Sequence, residues 1–207
     1  MTILQAHGAP DPLTQMNDVT AFVLAGGKSR RMGADKAFLR WGDESLLDRE
    51  LKLARAVAEE VRIVGDGKKF GGFGCVVVED IYRDRGPLGG IHAALTGSGS
   101  ELNLMLAVDL PLMTPEFLTY LISQARKAGA IVTVPNAGGG LQPLCAVYRR
   151  EFAGIAEASL RAGKNKIDPL FAKVKTRVIE EEELVGAGFS PEMFRNVNTP
   201  EDLKAIS

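Results

Sequence analysis

The chain has 207 residues, of which 45% are hydrophobic and 25% charged, a composition typical of a globular protein with one large core. Its formal net charge of −1 gives no overall field to attract nucleic acid or acidic membranes, so any anion site must be local. The two histidines, His7 and His92, are too few and too isolated for a histidine-based metal site or a Ser-His-Asp triad.

The N-terminal stretch 1–18 is mixed polar and contains proline, which predicts a disordered extension and not a signal peptide. No window approaches the about 20 apolar residues of a membrane-spanning helix. Cys75 and Cys145 lie in apolar runs, which predicts buried free thiols in a reducing compartment. We therefore expect a cytoplasmic protein with one domain over 19–207.

Apolar runs typical of strands alternate with segments of helical periodicity along the rest of the chain. In chain order, the pattern predicts a strand over 19–25, a helix over 45–60, strands over 61–65 and 74–80, a helix over 86–98, a strand over 102–111, a helix over 114–129, strands over 130–135 and 142–148, helices near 150–162 and 165–173, an edge strand over 176–180 and a helix over 199–207. The glycine-rich stretch 136–142 is predicted to be a flexible loop.

This alternation predicts an α/β fold, an open, twisted, mostly parallel sheet with helices on both faces in three layers. Ligands of such sheets bind outside the carboxyl ends of the strands. The candidate functional loops therefore begin at Gly26, Gly65, Glu79, Asp109 and Pro135.

The first of these loops, LAGGKSRRMGADK at 24–36, follows a predicted strand and is rich in glycine and cations. Its spacing fits neither the G-x-G-x-x-G fingerprint nor a P-loop, which would need glycine where Phe22 stands. The glycines would let a ligand approach the backbone and expose amides, and Arg30, Arg31 and Lys36 could neutralise a polyphosphate. A glycine turn with solvated cations is the alternative.

Carboxylates follow two further predicted strands. Glu79 and Asp80 could accept hydrogen bonds from the base or ribose of a nucleotide, or they could be exposed turn residues. Asp109 follows the most hydrophobic run, where an ionised carboxylate needs a partner. Mg²⁺ is the partner we favour, because it takes one or two carboxylates with phosphates and waters; a turn-capping role before Pro111 is the alternative.

Together these motifs resemble the molybdenum cofactor guanylyltransferases, the MobA family within the wider nucleotidyltransferase superfamily. The resemblance covers nearly the whole chain after residue 18. It rests on LAGGKSRRMGADKAFL at 24–39, VVVED at 76–80, GPLGGIHAAL at 86–95, VDLPLM at 108–113, QPLCAVY at 142–148 and NVNTPEDL at 196–203.

The resemblance implies the nucleotide-diphospho-sugar transferase fold and transfer of GMP from GTP to the phosphate of molybdenum-bound molybdopterin, with release of pyrophosphate. It also implies the partners of the protein: GTP, molybdopterin, and recipient molybdoenzymes or cofactor-insertion proteins, without nucleic acid or membrane.

The same resemblance implies roles for individual residues. It makes Lys36, Asp109 and Arg31 catalytic, with Asp109 holding Mg²⁺. The implied nucleotide site comprises Leu24, Ala25, Gly26, Gly27, Lys36, Asp80 and Asp109. Gly86, Pro87, Gln142, Asn196 and Asn198 would lie on the pterin side.

The chain departs from the family pattern at Gly65, where some members carry asparagine, so a side-chain contact to the nucleotide would be lost. It also has Val108 in place of a common cysteine and GPLGG in place of GPLAG. Two other functions remain open: a related nucleotidyltransferase that uses CTP or a sugar phosphate, and a non-catalytic GTP-binding adaptor.

Overall fold

The computed structural model describes residues 18–26 and 36–206. One eight-stranded sheet forms the centre of this part of the chain. Its strands are β1 (Val19–Leu24), β4 (Glu60–Val64), β5 (Val76–Val78), β6 (Leu102–Ala107), β7 (Val132–Ala137), β8 (Gly140–Leu141), β9 (Cys145–Arg149) and β10 (Thr176–Glu180). Two further short strands, β2 (Arg40–Trp41) and β3 (Glu44–Ser45), pair as a hairpin.

The helices are α1 (Leu46–Arg55), α2 (Gly67–Phe70), α3 (Pro87–Gly97), α4 (Pro115–Ala128), α5 (Phe152–Arg161), α6 (Asp168–Phe171), α7 (Glu181–Gly186) and α8 (Pro200–Lys204). Short 3₁₀ turns cover Lys36–Phe38 and Pro191–Phe194. Within the described residues, none of these helices is both long and apolar enough to cross a bilayer.

The strand order is β10-β7-β9-β6-β1-β4-β5, with β8 paired to β7 outside that path. All pairings in this sheet are parallel except those of β9 with β6 and β7 and of β8 with β7. The α/β fold with a mostly parallel sheet is therefore confirmed. Because β1 lies between β4 and β6, the loops that follow these three strands open at the same edge of the sheet.

Two hydrophobic cores cover the two faces of the sheet, which gives the three layers. Helices α1 and α4 and the segment around Val197 contribute to the first core. Helices α3, α5 and α6 contribute to the second. Strands β1 and β6 are buried along almost their whole length because helices cover both of their faces.

The glycine-rich stretch that we predicted to be a flexible loop is instead a tight hairpin. Ala137 of β7 pairs with Gly140 of β8, and the two residues between them, Gly138 and Gly139, have φ of 62° and 92°. A two-residue hairpin turn favours positive φ at both positions, which glycine adopts without strain. The prediction of a flexible loop was wrong because this pairing was not recognised from the turn residues.

The first described residue is Asp18, which forms hydrogen bonds with the folded part of the chain. Its carboxylate accepts a hydrogen bond from the Arg126 guanidinium at 2.6 Å, and its carbonyl oxygen accepts from the Leu102 N–H at 3.2 Å. Asp18 thus packs beside the start of β6, although it was assigned to the disordered extension. Residues 1–17 of that extension lie outside the described residues.

Candidate active site

A cleft of about 280 Å³ opens at the carboxyl edge of the sheet, between the ends of β1, β4 and β6 and the start of α3. The residues that line it are Leu24, Ala25, Gly26, Lys36, Val64, Asp80, Gly86, Pro87, Gly90, Ala107, Val108, Asp109 and Leu144. Eight of the predicted site residues are in this set. Gly27 and Arg31, and also Lys28 and Arg30, lie outside the described residues.

Lys36 and Asp109 meet in the cleft although they are 73 positions apart. The ammonium nitrogen of Lys36 lies 3.2 Å from Oδ2 of Asp109, and both side chains are about one quarter exposed. Asp109 follows β6, whose register places Ala107 beside Leu24 at the end of β1. A cation and a carboxylate that are both accessible are thus placed at one point of the cleft wall.

The first two residues of the turn at the end of β1, Ala25 and Gly26, use their amides within the fold. The N–H groups of Ala25 and Gly26 both donate to the carbonyl oxygen of Val64, at 3.1 and 3.0 Å. We expected the glycine-containing turn to expose its amides, but neighbouring strand β4 already uses these two. Each of these two residues also has a carbonyl oxygen, which accepts hydrogen bonds.

Asp80 lies on the other side of the cleft, beyond the end of β5. Its carboxylate is half-buried, and burial raises the pKa of the Asp80 carboxyl. A Cβ atom at Gly90 would approach its Oδ1 to 3.6 Å, and one at Gly89 its Oδ2 to 3.7 Å, so the carboxylate lies against the first turn of α3. Glu79 instead faces solvent and accepts the Gly67 N–H at 3.0 Å. Of the two predicted acids, only Asp80 lines the cleft.

Gly90, in the GPLGG motif, is closely packed. A Cβ at Gly90 would lie 3.3 Å from Cγ1 of Val64 and 3.6 Å from Leu24, so helix α3 approaches the sheet closely here. Gly86, the residue before α3, has φ of 66° and lines the cleft with Pro87. Gly90 therefore contributes both to helix–sheet packing and to the cleft wall.

Gly65 departs from the family pattern for a reason that lies in the packing. A Cβ atom at Gly65 would lie 2.6 Å from the Phe70 ring, which real Cβ contacts essentially never show. Phe70 is buried and stacks on Phe38 with ring centroids 5.9 Å apart. The aromatic ring thus occupies the space that a side chain at position 65 would need.

The remaining predicted residues have different surroundings. The side-chain oxygen of Asn198 accepts a hydrogen bond from the Lys36 ammonium. The side-chain amide of Gln142 donates to the Ala137 carbonyl at 2.7 Å, so it braces the β7–β8 hairpin and does not line the cleft. Asn196 is exposed. The structure thus brings Asn198 to Lys36 but does not bring Gln142 or Asn196 into the cleft wall.

Glu50 is a buried acid near the site that we did not predict. Its side chain is fully buried in α1, and both carboxylate oxygens lack a hydrogen-bond partner among the described residues. Burial raises the pKa of Glu50 well above its ordinary value; Arg49 opposes this shift and Asp109 adds to it. The sequence offered one indication, because Glu50 lies four residues after Leu46 and four before Ala54, on the apolar helix face.

The acids at the cleft suit a hard divalent cation that is shared with a phosphate. Among residues 18–26 and 36–206 there is no group of three or more His, Cys, Asp or Glu side chains that could form a metal cage. Mg²⁺ usually takes one or two carboxylates and completes its shell with water and substrate phosphates. Asp109 fits that requirement because it is accessible in the cleft and Lys36 contacts only its Oδ2 in the described part.

Comparisons with known proteins identify the family of the chain. The family model described as "MobA-like NTP transferase domain" matches residues 21–177. A "Probable molybdenum cofactor guanylyltransferase" of Pelotomaculum thermopropionicum is 40% identical over 189 residues, 91% of each chain. A "Molybdenum cofactor guanylyltransferase" of Desulfosudis oleivorans is 32% identical over 191 residues, 91% of this chain and 94% of the relative.

A solved structure gives the same likeness in three dimensions. The molybdopterin-guanine dinucleotide biosynthesis protein A of Archaeoglobus fulgidus superposes with a TM-score of 0.78 at 27% identity. The match covers 90% of this chain and 95% of the other.

Proposed function

The chain belongs to the family of MobA-like NTP transferase domains, and on that premise we propose that it is a molybdenum cofactor guanylyltransferase. It transfers GMP from GTP to the phosphate of molybdenum-bound molybdopterin and releases pyrophosphate. The observation that carries this proposal is the meeting of Lys36 and Asp109, 3.2 Å apart, in a cleft whose other side holds Asp80.

The acceptor groups of the cleft favour guanine as the base. Guanine presents two neighbouring donors, its N1–H and its 2-amino group, which match a carboxylate and carbonyl oxygens. The Asp80 carboxylate and the carbonyls at the Ala25–Gly26 turn are acceptors of this kind, while the two amides of that turn are used by Val64. Cytosine and adenine lack this pair of donors, so we expect CTP and ATP to bind more weakly.

The transfer needs positioning and charge neutralisation and no side-chain nucleophile. An oxygen of the molybdopterin phosphate forms a bond to the α-phosphorus of GTP, and the bond from that phosphorus to the bridging oxygen of the β-phosphate breaks. The electron pair leaves with pyrophosphate. The Lys36 ammonium lies where it can neutralise phosphate charge that develops in this step. We propose that Arg31 assists it.

Asp109 is the residue that would hold Mg²⁺, with the nucleotide phosphates as its other ligands. When bound, the ion would polarise the α-phosphate and align the reactants. Gly86 and Pro87, on the Asp80 side of the cleft, would contact the pterin substrate. We extend the pterin side to Gln142, Asn196 and Asn198 by resemblance alone.

Two statements about the cellular setting belong to the same proposal. We propose a cytoplasmic location, which agrees with the free thiols of Cys75 and Cys145. We also propose that recipient molybdoenzymes or cofactor-insertion proteins take up the product.

The test is incubation of the purified protein with Mg²⁺, molybdenum-bound molybdopterin and GTP, followed by mass analysis of the pterin product. We expect the mass of the acceptor to increase by one GMP unit, and parallel reactions with CTP or ATP to be slower. A preference for CTP would assign the chain to a cytidylyl transfer. GTP binding without any pterin product would support the adaptor function.

A further inference from the structure

Lys36 is held from two sides by distant parts of the chain. Besides Asp109, it donates to the side-chain oxygen of Asn198, which is 162 positions away in sequence. The two partners differ in effect, because the carboxylate neutralises the ammonium whereas the amide oxygen fixes its position and leaves its charge available.

The backbone at Asn198 is itself held on both sides. On one side, the buried residue Val197 donates its N–H to the carbonyl oxygen of Asp109 at 2.9 Å. On the other, Oδ2 of Asp202 accepts the N–H groups of Asn198 at 2.8 Å and Thr199 at 2.9 Å. These bonds fix the direction in which the Asn198 side chain leaves the backbone.

Asp202 and Thr199 form a reciprocal capping box at the start of α8. The Thr199 hydroxyl accepts the N–H of Asp202 at 3.0 Å, while Asp202 accepts from the N–H of Thr199. An ordinary capping box satisfies two free amides and ends there. This one also holds the N–H of the preceding residue, Asn198, and thereby reaches the cleft. The hydrogen bonds, first that from Asn198, lower the pKa of Asp202, so its carboxylate stays ionised at neutral pH.

We propose that Asp202 is a positioning residue for guanylyl transfer and acts through Asn198 on Lys36. This inference rests on the proposed function and goes beyond it, because Asp202 does not line the cleft and was not among the predicted site residues. A lysine side chain has many accessible rotamers, and Lys36 is the first residue of a turn of only three residues. An external anchor is therefore needed to hold its charge in one place.

The experiment is a double-mutant cycle between Asp202→Ala and Lys36→Ala, with GTP affinity by calorimetry and kcat and KM by pyrophosphate release. We expect Asp202→Ala to lower kcat/KM about tenfold and to weaken GTP binding in the wild-type background. In the Lys36→Ala background the same change should have less than a twofold effect, because the group on which it acts is gone. Asp202→Asn keeps an acceptor and should retain activity within about threefold of wild type.

Two controls separate positioning from loss of a helix cap. Glu201→Ala removes an exposed carboxylate from the same turn of α8. Asp48→Ala breaks the matching capping box of α1, formed by Ser45 and Asp48. Both variants should keep kcat/KM within twofold of wild type at temperatures where the proteins are folded. This should hold even if Asp48→Ala lowers the melting temperature as much as Asp202→Ala does.

The inference would be overturned if Asp202→Ala changed kcat/KM and GTP affinity equally in both backgrounds. It would also be overturned if Asp48→Ala lowered kcat/KM as much as Asp202→Ala does. If Asp202→Ala does not fold, Asn198→Ala leaves the capping box intact and enters the same cycle with GTP affinity as the readout, since that measurement involves no pterin. The expected and overturning results for GTP affinity are the same. Calorimetry needs no acceptor, so the inference is tested even if the wild type makes no guanylylated pterin. The absence of a guanylylated pterin product would contradict the proposed function and not the inference.

Discussion

At the scale of single residues, the position of one ammonium group dominates the cleft. The Lys36 ammonium has a carboxylate at 3.2 Å and an amide oxygen as its partners, and it lines the cleft. The exposed Lys68 has the same charge, but it lies on α2 and does not line the cleft. We therefore predict a role in transfer for Lys36 and none for Lys68.

Replacing Lys36 by alanine tests this placement. We expect Lys36→Ala to lower kcat/KM by more than a hundredfold, about 3 kcal/mol of transition-state stabilisation, because phosphate charge is left uncompensated. Steady-state kinetics of pyrophosphate release measure it, and Lys68→Ala, as the matched control, should stay within twofold of wild type. A loss below tenfold would argue against the role of Lys36.

Asp109 is expected to be needed for any turnover that depends on Mg²⁺. Asp109→Ala removes the accessible carboxylate that would hold the ion, so titration of Mg²⁺ should restore no activity in this variant. The exposed Asp43 provides the control, since Asp43→Ala should give the wild-type dependence on Mg²⁺ concentration. Near-normal activity of Asp109→Ala would refute the metal-binding role.

Glu50 should make stability depend on pH. Its folded pKa is raised by burial, with Arg49 opposing and Asp109 adding to the shift, so the folded state keeps the proton while the unfolded state loses it above about pH 4.3. The free energy of unfolding therefore falls as pH rises from the unfolded pKa to the folded one, by up to about 1.4 kcal/mol per unit of pKa difference.

Glu50→Gln removes this dependence, so its stability relative to wild type should increase over the same pH range. Urea unfolding at pH 4 to 8 measures the difference, and Glu116→Gln, at an exposed position of α4, should show no such trend. A difference that does not change with pH would show that Glu50 is not held neutral in the fold.

At the scale of elements, start and stop residues were interpreted correctly for one helix and missed for another. The helix predicted over 114–129 is confirmed, with Thr114 as N-cap and Gly129 in the left-handed conformation at its end. The helix predicted near 165–173 covers only Asp168–Phe171. Pro169 explains its late start, because proline is tolerated only in the first turn.

Two glycines in helices should respond in opposite ways to alanine. A Cβ at Gly89 of α3 would lie 2.9 Å from the carbonyl oxygen of Tyr82, whereas a Cβ at Gly154 of α5 would meet nothing within 4 Å. Gly154→Ala should raise the free energy of unfolding by about 0.5–1 kcal/mol through helix propensity. Gly89→Ala should lower the free energy of unfolding, because the backbone at Tyr82 or at Gly89 must move to make room. Urea denaturation compares the two, and stabilisation by Gly89→Ala would contradict the close approach of α3.

At the scale of the whole molecule, strands β1 and β6 contribute to the cores on both faces of the sheet, so we propose that the two cores unfold together as one domain. Trp41, the only tryptophan, packs against the first core. Phe152 is fully buried in the second.

Phe152→Ala should cost about 3–5 kcal/mol and move the unfolding transition reported by Trp41 fluorescence, although the two residues belong to opposite faces. Far-UV circular dichroism should give the same midpoint as fluorescence. Val185→Ala, at a residue that is 56% exposed, is the control and should shift neither signal by more than about 0.5 kcal/mol. Separate midpoints for the two probes would indicate two folding units.

The sequence by itself determined the features that depend on neighbours along the chain. Alternating strand and helix patterns predicted the layered sheet, and Asp80 and Asp109 were identified because each lies near the carboxyl end of a predicted strand. The catalytic role of Lys36 was predicted from the family resemblance of the motif around it. These inferences need only local spacing, since the carboxyl ends of parallel strands necessarily meet at one edge of the sheet.

The tertiary structure alone decided which distant groups touch. The contacts of Lys36 with Asp109 and Asn198 join positions 73 and 162 apart, and no periodicity encodes such pairings. The Phe70 ring against Gly65, the buried Glu50 and the link from Asp202 to the cleft likewise appear only when the elements pack. The physical reason is that local sequence sets backbone preference, whereas close packing between elements decides the position of each side chain.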